Sequence, residues 1–189
     1  QYEELGEKLA EEMKHARLIM DLLEELTGTS ITPKDLLWLS EDKRLAKIRG
    51  RYSKTYSGLL HGSENIKVGD IRRKDEDLER AAITLTEGGG GALYDVCSRL
   101  KAGRFERKVA AAFKEIYLDE VNHKNAGARD LARLVTTRRN YERARKIIQQ
   151  VCGQRLRMRN EQFGFPLSAR NIRSLELRCE KVVGPLATR

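Results

Sequence analysis

The sequence predicts an all-α protein. Apolar residues recur at spacings of three and four along most of the chain, which is the period of an amphipathic helix. No segment shows a convincing strand-like alternation of apolar and polar residues. The chain has only three prolines and 6% aromatic residues, which argues against an all-β sandwich. Its 189 residues are enough for one domain, or for one domain with an appendage.

Residues 2–27 are predicted to form the first helix, because leucine, methionine and alanine recur there with helical spacing. Gly28 is a suitable stop signal. Thr32-Pro33 is typical of a helix start, with threonine as the cap and proline in the first turn, and this second helix is expected to run toward Ile48. The glycine, serine, tyrosine and asparagine content of residues 50–69 indicates a loop.

The second half of the chain is predicted to be helical as well. Its helices are expected at about residues 70–85, 93–100, 105–135, 137–157 and 168–183. A run of four glycines, 88–91, interrupts the first of these, and Gly103 marks a turn before the long third one.

The distribution of charge predicts two parts. The net charge is +9, yet the last 54 residues hold thirteen Lys/Arg against four Asp/Glu, so the rest of the chain is balanced. We therefore expect a domain over residues 1–135 and a basic helical extension over residues 136–189.

The extension carries a dense basic strip between residues 138 and 159. Its members are Arg138, Arg139, Arg143, Arg145, Lys146, Arg155, Arg157 and Arg159. Electrostatics alone allow a nucleic acid, a phosphate-bearing substrate or an acidic electron-transfer protein as partner. A solvated helix face is the simpler alternative. Few aromatic residues lie among the basic ones, which weakens the case for a single-strand stacking surface.

Cysteine usage and hydropathy indicate the compartment. The three cysteines are odd in number and lack C-x-x-C spacing, which argues against a disulfide framework and against a cysteine zinc site. The N-terminus lacks the apolar segment of a signal peptide, and no run of about 18 apolar residues is present to suggest a membrane span. A cytoplasmic protein is expected.

Two of the three histidines share one local pattern. Glu12 and His15, and again Glu120 and His123, form Glu-x-x-His on predicted helices. Residues three apart lie on one helix face, so each carboxylate and imidazole can bind one metal ion, with donors suited to iron or manganese. The alternative is that both are exposed or capping histidines. The third, His61, is expected to be a loop histidine without a metal.

Glu87 adds a third element. It follows an apolar helical segment, and a glutamate on an inner face is costly to bury unless it is paired or bound to a metal. It precedes Glu120 by 33 residues. With a turn near Gly103, the outward leg of 16 residues and the return leg of 17 residues would bring the two carboxylates level in an antiparallel helix pair.

This set of motifs resembles the ferritin-like di-iron carboxylate superfamily. That family's four-helix bundle takes one Glu from each of two helices and Glu-x-x-His from each of the other two. The resemblance implies Glu12, His15, Glu87, Glu120 and His123 as ligands of two metal ions, most simply iron, with manganese or a mixed pair as alternatives. It also implies that residues 28–70 form the long crossover that connects the second and third helices of the family's bundle. The family's first helix and its glutamate have no counterpart here, and we expect them upstream of Gln1 or on a partner chain.

Other residues near the implied ligands have open roles. The glycine run is expected to open space for substrate or dioxygen, or to form a bulge that re-aims Glu87. The run consists of Gly88, Gly89, Gly90 and Gly91. The alternative is that it forms a loop that ends the helix. Tyr94, Tyr117 and Asp119 are candidates for hydrogen bonds to the ligands, although core packing is the simpler role for the tyrosines.

By resemblance, the expected function is a dinuclear oxidoreductase that activates dioxygen to oxidise or oxygenate an organic substrate. No catalytic residue beyond the metal ligands is expected. The alternative is a basic nucleic-acid-binding protein in which the bundle serves as scaffold. A bundle of the same ancestry that has lost its metal is a third option.

Overall fold

The computed structural model describes residues 2–32, 34–52 and 74–182. In these ranges all regular secondary structure is helical, so the all-α prediction is confirmed. The helices are α1 (Tyr2–Thr27), α2 (Ser40–Tyr52), α3 (Lys74–Leu85), a 3-10 segment (Thr86–Gly90), α4 (Gly91–Cys97), α5 (Arg104–Leu134), α6 (Arg138–Gln162) and α7 (Ala169–Val182). None of the described helices is both long enough and apolar enough to cross a bilayer.

The predicted start of the second helix is wrong. The backbone N–H and the hydroxyl of Thr32 both donate to the Asp35 carboxylate, and the Asp35 N–H donates to the Thr32 carbonyl, which closes a turn instead. Helix α2 begins at Ser40, eight residues later. Its first N–H groups donate to the carboxylate of Glu161, which lies near the end of α6.

Residues 53–73 lie outside the described residues. His61 and much of the predicted 28–70 crossover fall there, so their predictions stay untested. The remaining part of that crossover contains α2.

The chain divides into two compact units. Unit 1 comprises Gln1–Leu37 and Gly90–Asn122, and unit 2 comprises Trp38–Gly89 and His123–Arg189. The sequence-based division after residue 135 stays a prediction. Helix α5 contributes its first part to unit 1 and its last part to unit 2.

In unit 1, two helices run antiparallel to α5. On α4, the Tyr94 ring packs on the Phe113 ring with centroids 5.8 Å apart. On α1, Glu25 pairs with Lys108 at 2.5 Å, and Lys14 pairs with Asp119 at 2.8 Å. Positions later in α1 thus meet positions earlier in α5. Leucine and methionine side chains nevertheless remain exposed on α1, at Leu9, Met13 and Leu26.

The described core of unit 2 packs around α6. Leu78, Ala82, Ile147 and Val151 of α3 and α6 are at most 1% exposed, and they belong to one apolar cluster to which Leu45 of α2 also contributes. The apolar residues of α6 recur at threes and fours, as the sequence predicted. This packing holds α2, α3 and α6 together and leaves the polar side of α6 available for other contacts.

Candidate metal centre

Three of the five predicted ligands meet within unit 1. Glu12, His15 and Glu120 each offer one donor atom, and these atoms all lie within 4.8 Å of one another. Glu12 is exposed, His15 is buried and Glu120 is half-buried. The antiparallel course of α1 and α5 produces this meeting, because it brings the middle of α1 beside the later part of α5. A site with one solvent-facing carboxylate could admit a metal ion from outside.

His15 is held by a carboxylate beside the site. His15 Nε2 lies 3.0 Å from Asp119 Oδ2, which also accepts from Lys14 Nζ at 2.8 Å. Burial raises the pKa of Asp119, but hydrogen bonds from Lys14 and His15 outweigh it and hold that pKa below its usual range. Asp119 is therefore an anion at neutral pH and accepts a hydrogen bond from the imidazole N–H.

This hydrogen bond selects the tautomer of His15. When Nε2 carries the proton and donates to Asp119, Nδ1 carries the lone pair that a metal ion would use. A carboxylate behind the imidazole also increases the basicity of the ligand nitrogen. The sequence suggested Asp119 as a supporting residue; its role toward a metal stays a prediction.

The other two predicted ligands, Glu87 and His123, meet within unit 2. Their donor atoms lie within 4.8 Å of each other, and both residues are about 8% exposed. Glu87 Oε1 also accepts from Arg49 Nη2 of α2 at 3.3 Å. Burial of this carboxylate beside a cation agrees with the expectation that it needs a positive partner. His123 lies one helical turn after Glu120 on α5, across the boundary between the units.

Gly127 lies one turn after His123 on α5, and it is not among the site residues that the sequence predicts. A Cβ on Gly127 would lie 2.6 Å from the Leu85 backbone nitrogen, closer than real Cβ atoms approach, and 3.0 Å from the Thr84 carbonyl carbon. The missing side chain thus lets α3 and α5 approach at backbone distance. His123 precedes Gly127 by one turn and Glu87 follows Leu85 by two residues, so this close approach sets their separation. A glycine inside a helix was the available signal.

The glycine run remains helical. Residues 86–90 form the 3-10 segment and α4 starts at Gly91, so the alternative of a loop that ends the helix is wrong. A Cβ on Gly88 would lie 2.7 Å from Lys124 Cδ in unit 2. One on Gly90 would lie 2.7 Å from the Tyr94 ring in unit 1. The run therefore accommodates neighbouring side chains; its predicted use as substrate space stays a prediction.

The two tyrosines both pack within unit 1. Tyr94 lies on Phe113 and covers Gly90, and a Cβ on Gly91 would lie 3.5 Å from the Tyr117 ring. These contacts agree with the simpler role in packing. Hydrogen bonding of either tyrosine to a ligand stays a prediction.

Comparison with protein-family models, with curated proteins and with solved structures finds no match for this chain. The assignment therefore depends on the donor set. Carboxylate oxygens with an imidazole nitrogen suit iron, manganese or zinc, and the Asp119–His15 pair is a common support for a metal-binding histidine. The residues present fit a metal ion, while the identity and the number of ions stay predictions.

Proposed function

We propose that this protein is a non-haem di-iron oxidoreductase that activates dioxygen to oxidise or oxygenate an organic substrate. The proposal combines two kinds of support. One is the acidic and histidine groups that the all-helical structure gathers, and the other is the pattern of two Glu-x-x-His motifs with one further glutamate.

The meeting of Glu12, His15 and Glu120 carries the proposal. Glu12 and His15 lie over a hundred positions from Glu120, on a different helix, and the donor atoms of the three residues converge within 4.8 Å. Chance surface clusters of acidic residues are common, but this one includes a buried histidine oriented by Asp119. Glu87 and His123 supply a second carboxylate–imidazole pair with the same chemistry.

Each residue would have a distinct task. Glu12, Glu120 and Glu87 would neutralise the cations, and His15 and His123 would each supply a neutral nitrogen donor. Bound iron would supply the electron transfer that dioxygen reduction requires. Asp119 would keep the proton on His15 Nε2, so that Nδ1 stays available as a donor. The exposed edge at Glu12 would leave a path for ligand exchange.

The metal content tests the proposal. The chain, expressed in iron-supplemented medium, should contain about two metal ions per molecule by elemental analysis. Replacement of His15 or His123 by alanine should lower this content and abolish dioxygen consumption in the presence of a chemical reductant. His61→Ala is the matched control and should retain both. Wild-type protein without metal after iron-replete expression would reject the proposal.

The nucleic-acid alternative receives no specific support from the described contacts. Arg143 pairs with Glu79, Arg145 with Glu142 and Arg157 with Glu176. These carboxylates offset part of the positive field of the basic strip. If nucleic-acid binding were the function, affinity would fall steeply with salt and would be unchanged in His15→Ala.

A further inference from the structure

Unit 2 contains a cleft that none of the metal-site residues lines. Its volume is about 450 Å³, within the range of small-molecule sites. One face of α6 forms its main wall, and α2 and α7 contribute the rest. The α6 positions are Lys146, Gln149, Gln150, Gly153, Gln154 and Arg157, which follow one another at threes and fours.

The cleft carries a net positive charge. Lys146 and Arg157 lie on α6, and Arg173 and Glu176 lie on α7. The Glu176 carboxylate accepts from Arg157 Nη2 at 2.6 Å and lies 3.5 Å from Arg173 Nη1. One carboxylate thus holds two guanidinium groups side by side, and three cations against one anion leave an excess of two positive charges. Paired guanidinium groups match the geometry of phosphate oxygens.

Two glutamine side chains in the cleft have defined orientations. Gln150 Oε1 accepts a hydrogen bond from the Tyr52 hydroxyl, so its Nε2 can donate to a ligand. Gln154 Nε2 donates to the Glu41 carbonyl at 3.0 Å, so its Oε1 can accept. A polar molecule with hydroxyl groups as well as an anionic group would use both.

Gly153 keeps the middle of the cleft open. A Cβ there would lie 3.6 Å from Glu176 Oε1, which is an ordinary contact, so the tight packing seen at Gly127 does not require glycine here. Glycine inside a helix costs roughly 1 kcal/mol relative to alanine. Because Gly153 has no side chain, the space beside it in the cleft stays open.

We propose that this cleft binds a small phosphate monoester with a polar, hydroxyl-bearing body. A volume of about 450 Å³ is the size of a small-molecule site, and binding of a nucleic acid instead is one outcome of the test below. The proposal does not rest on the metal site, since no residue is common to both.

Calorimetric titration of the full chain with ribose 5-phosphate, and with ribose as the matched probe without phosphate, tests the proposal. Ribose 5-phosphate should bind at least about tenfold more tightly than ribose, because the phosphate meets the cations. The double variant Lys146→Ala/Arg173→Ala should lose at least about tenfold in affinity. Arg138→Ala/Arg170→Ala is the control for general charge and should stay within about twofold.

A second variant tests the cleft without a change of charge. Gly153→Leu should abolish binding, since leucine fills the cleft and favours the helix. Equal affinity for ribose and ribose 5-phosphate, or equal losses in the two double variants, would overturn the proposal. So would tighter binding of a ten-nucleotide single strand that displaces ribose 5-phosphate. Two further measurements distinguish failure of this proposal from failure of the metal proposal. Metal content should be unchanged in Lys146→Ala/Arg173→Ala, and His15→Ala should retain ribose 5-phosphate binding.

Discussion

His15 Nε2 lies 3.0 Å from Asp119 Oδ2, a hydrogen bond that joins α1 to α5 beside the two glutamates of unit 1. The bond spans 104 residues of sequence and fixes the ring of a buried histidine. Asp119 directly precedes Glu120. One segment of α5 therefore presents a possible metal ligand, Glu120, and the carboxylate that orients His15 on α1.

Asp119→Asn should weaken metal binding at the unit 1 group. The amide can no longer accept a charge-assisted hydrogen bond, and loss of such a support costs roughly 10- to 100-fold in metal affinity. Equilibrium titration with Fe²⁺ or Mn²⁺ under anaerobic conditions would measure it. Glu115→Gln is the control, because Glu115 pairs only with Lys14 among the groups at the site, at 3.2 Å. Equal affinities of the wild type and Asp119→Asn would contradict the assigned role.

Arg49→Gln should destabilise the metal-free protein and increase its response to metal. The change removes the cation 3.3 Å from the buried Glu87 carboxylate. Because Arg49 is 44% exposed, the loss should be modest, about 1 kcal/mol in the free energy of unfolding. Added Mn²⁺ should then raise the melting temperature more in the variant than in the wild type.

Arg44→Gln provides the comparison for Arg49→Gln. Arg44 lies on the same helix, is 65% exposed and pairs with Glu41 at 2.6 Å. Its replacement should leave the metal response unchanged. A wild-type-like melting temperature and metal response in Arg49→Gln would show that Glu87 does not depend on this cation.

Gly127→Ala should destabilise the protein by about 1–3 kcal/mol, because the added Cβ forces α3 and α5 apart. Gly50→Ala is the matched control, since a Cβ at Gly50 meets no atom within 4 Å. The control should be stabilised by roughly 1 kcal/mol through helix propensity. Urea denaturation of both variants checks the prediction, and a stabilised Gly127→Ala would refute the close approach.

The pH dependence of stability should depend on Glu161. Hydrogen bonds from the Ser40 hydroxyl and from the Glu41 N–H lower the pKa of Glu161 in the folded state. Its contribution is therefore complete above the unfolded-state pKa of about 4.3 and is lost as pH falls through the lower folded-state value. Denaturant unfolding between pH 3 and pH 6 should show a flatter profile for Glu161→Gln than for wild type. Equal pH profiles of Glu161→Gln and the wild type would contradict this role of the carboxylate.

The sequence predicted the helices well where local periodicity determines them. The long helix α5 and the helix α6 have apolar residues at threes and fours, and both were placed within a few residues, apart from the C-terminal end of α6. The start of α2 was misplaced because Asp35 satisfies the Thr32 groups in a turn, whereas the cap of the real helix comes from Glu161. A cap supplied 120 residues away leaves no local signal.

The candidate site shows the same division. Glu-x-x-His spacing identified Glu12, His15 and Glu120 because a helix turn fixes which side chains share a face. The surroundings of Glu87 and His123 depend instead on tertiary contacts. Arg49 reaches Glu87 across 38 residues, and Gly127 matters because another helix backbone lies against it. The proposed dinuclear centre and ferritin-like bundle stay predictions.

Helix α6 has two neighbouring faces with different surroundings. Ala144, Ile147, Val151 and Met158 face the apolar core, while the positions between them line the cleft. Replacement of the α6 residues that line the cleft can therefore alter ligand preference, while the α6 residues that face the core continue to specify the fold. The ligand selectivity of the cleft can therefore change by substitutions on α6 that leave the core of unit 2 intact.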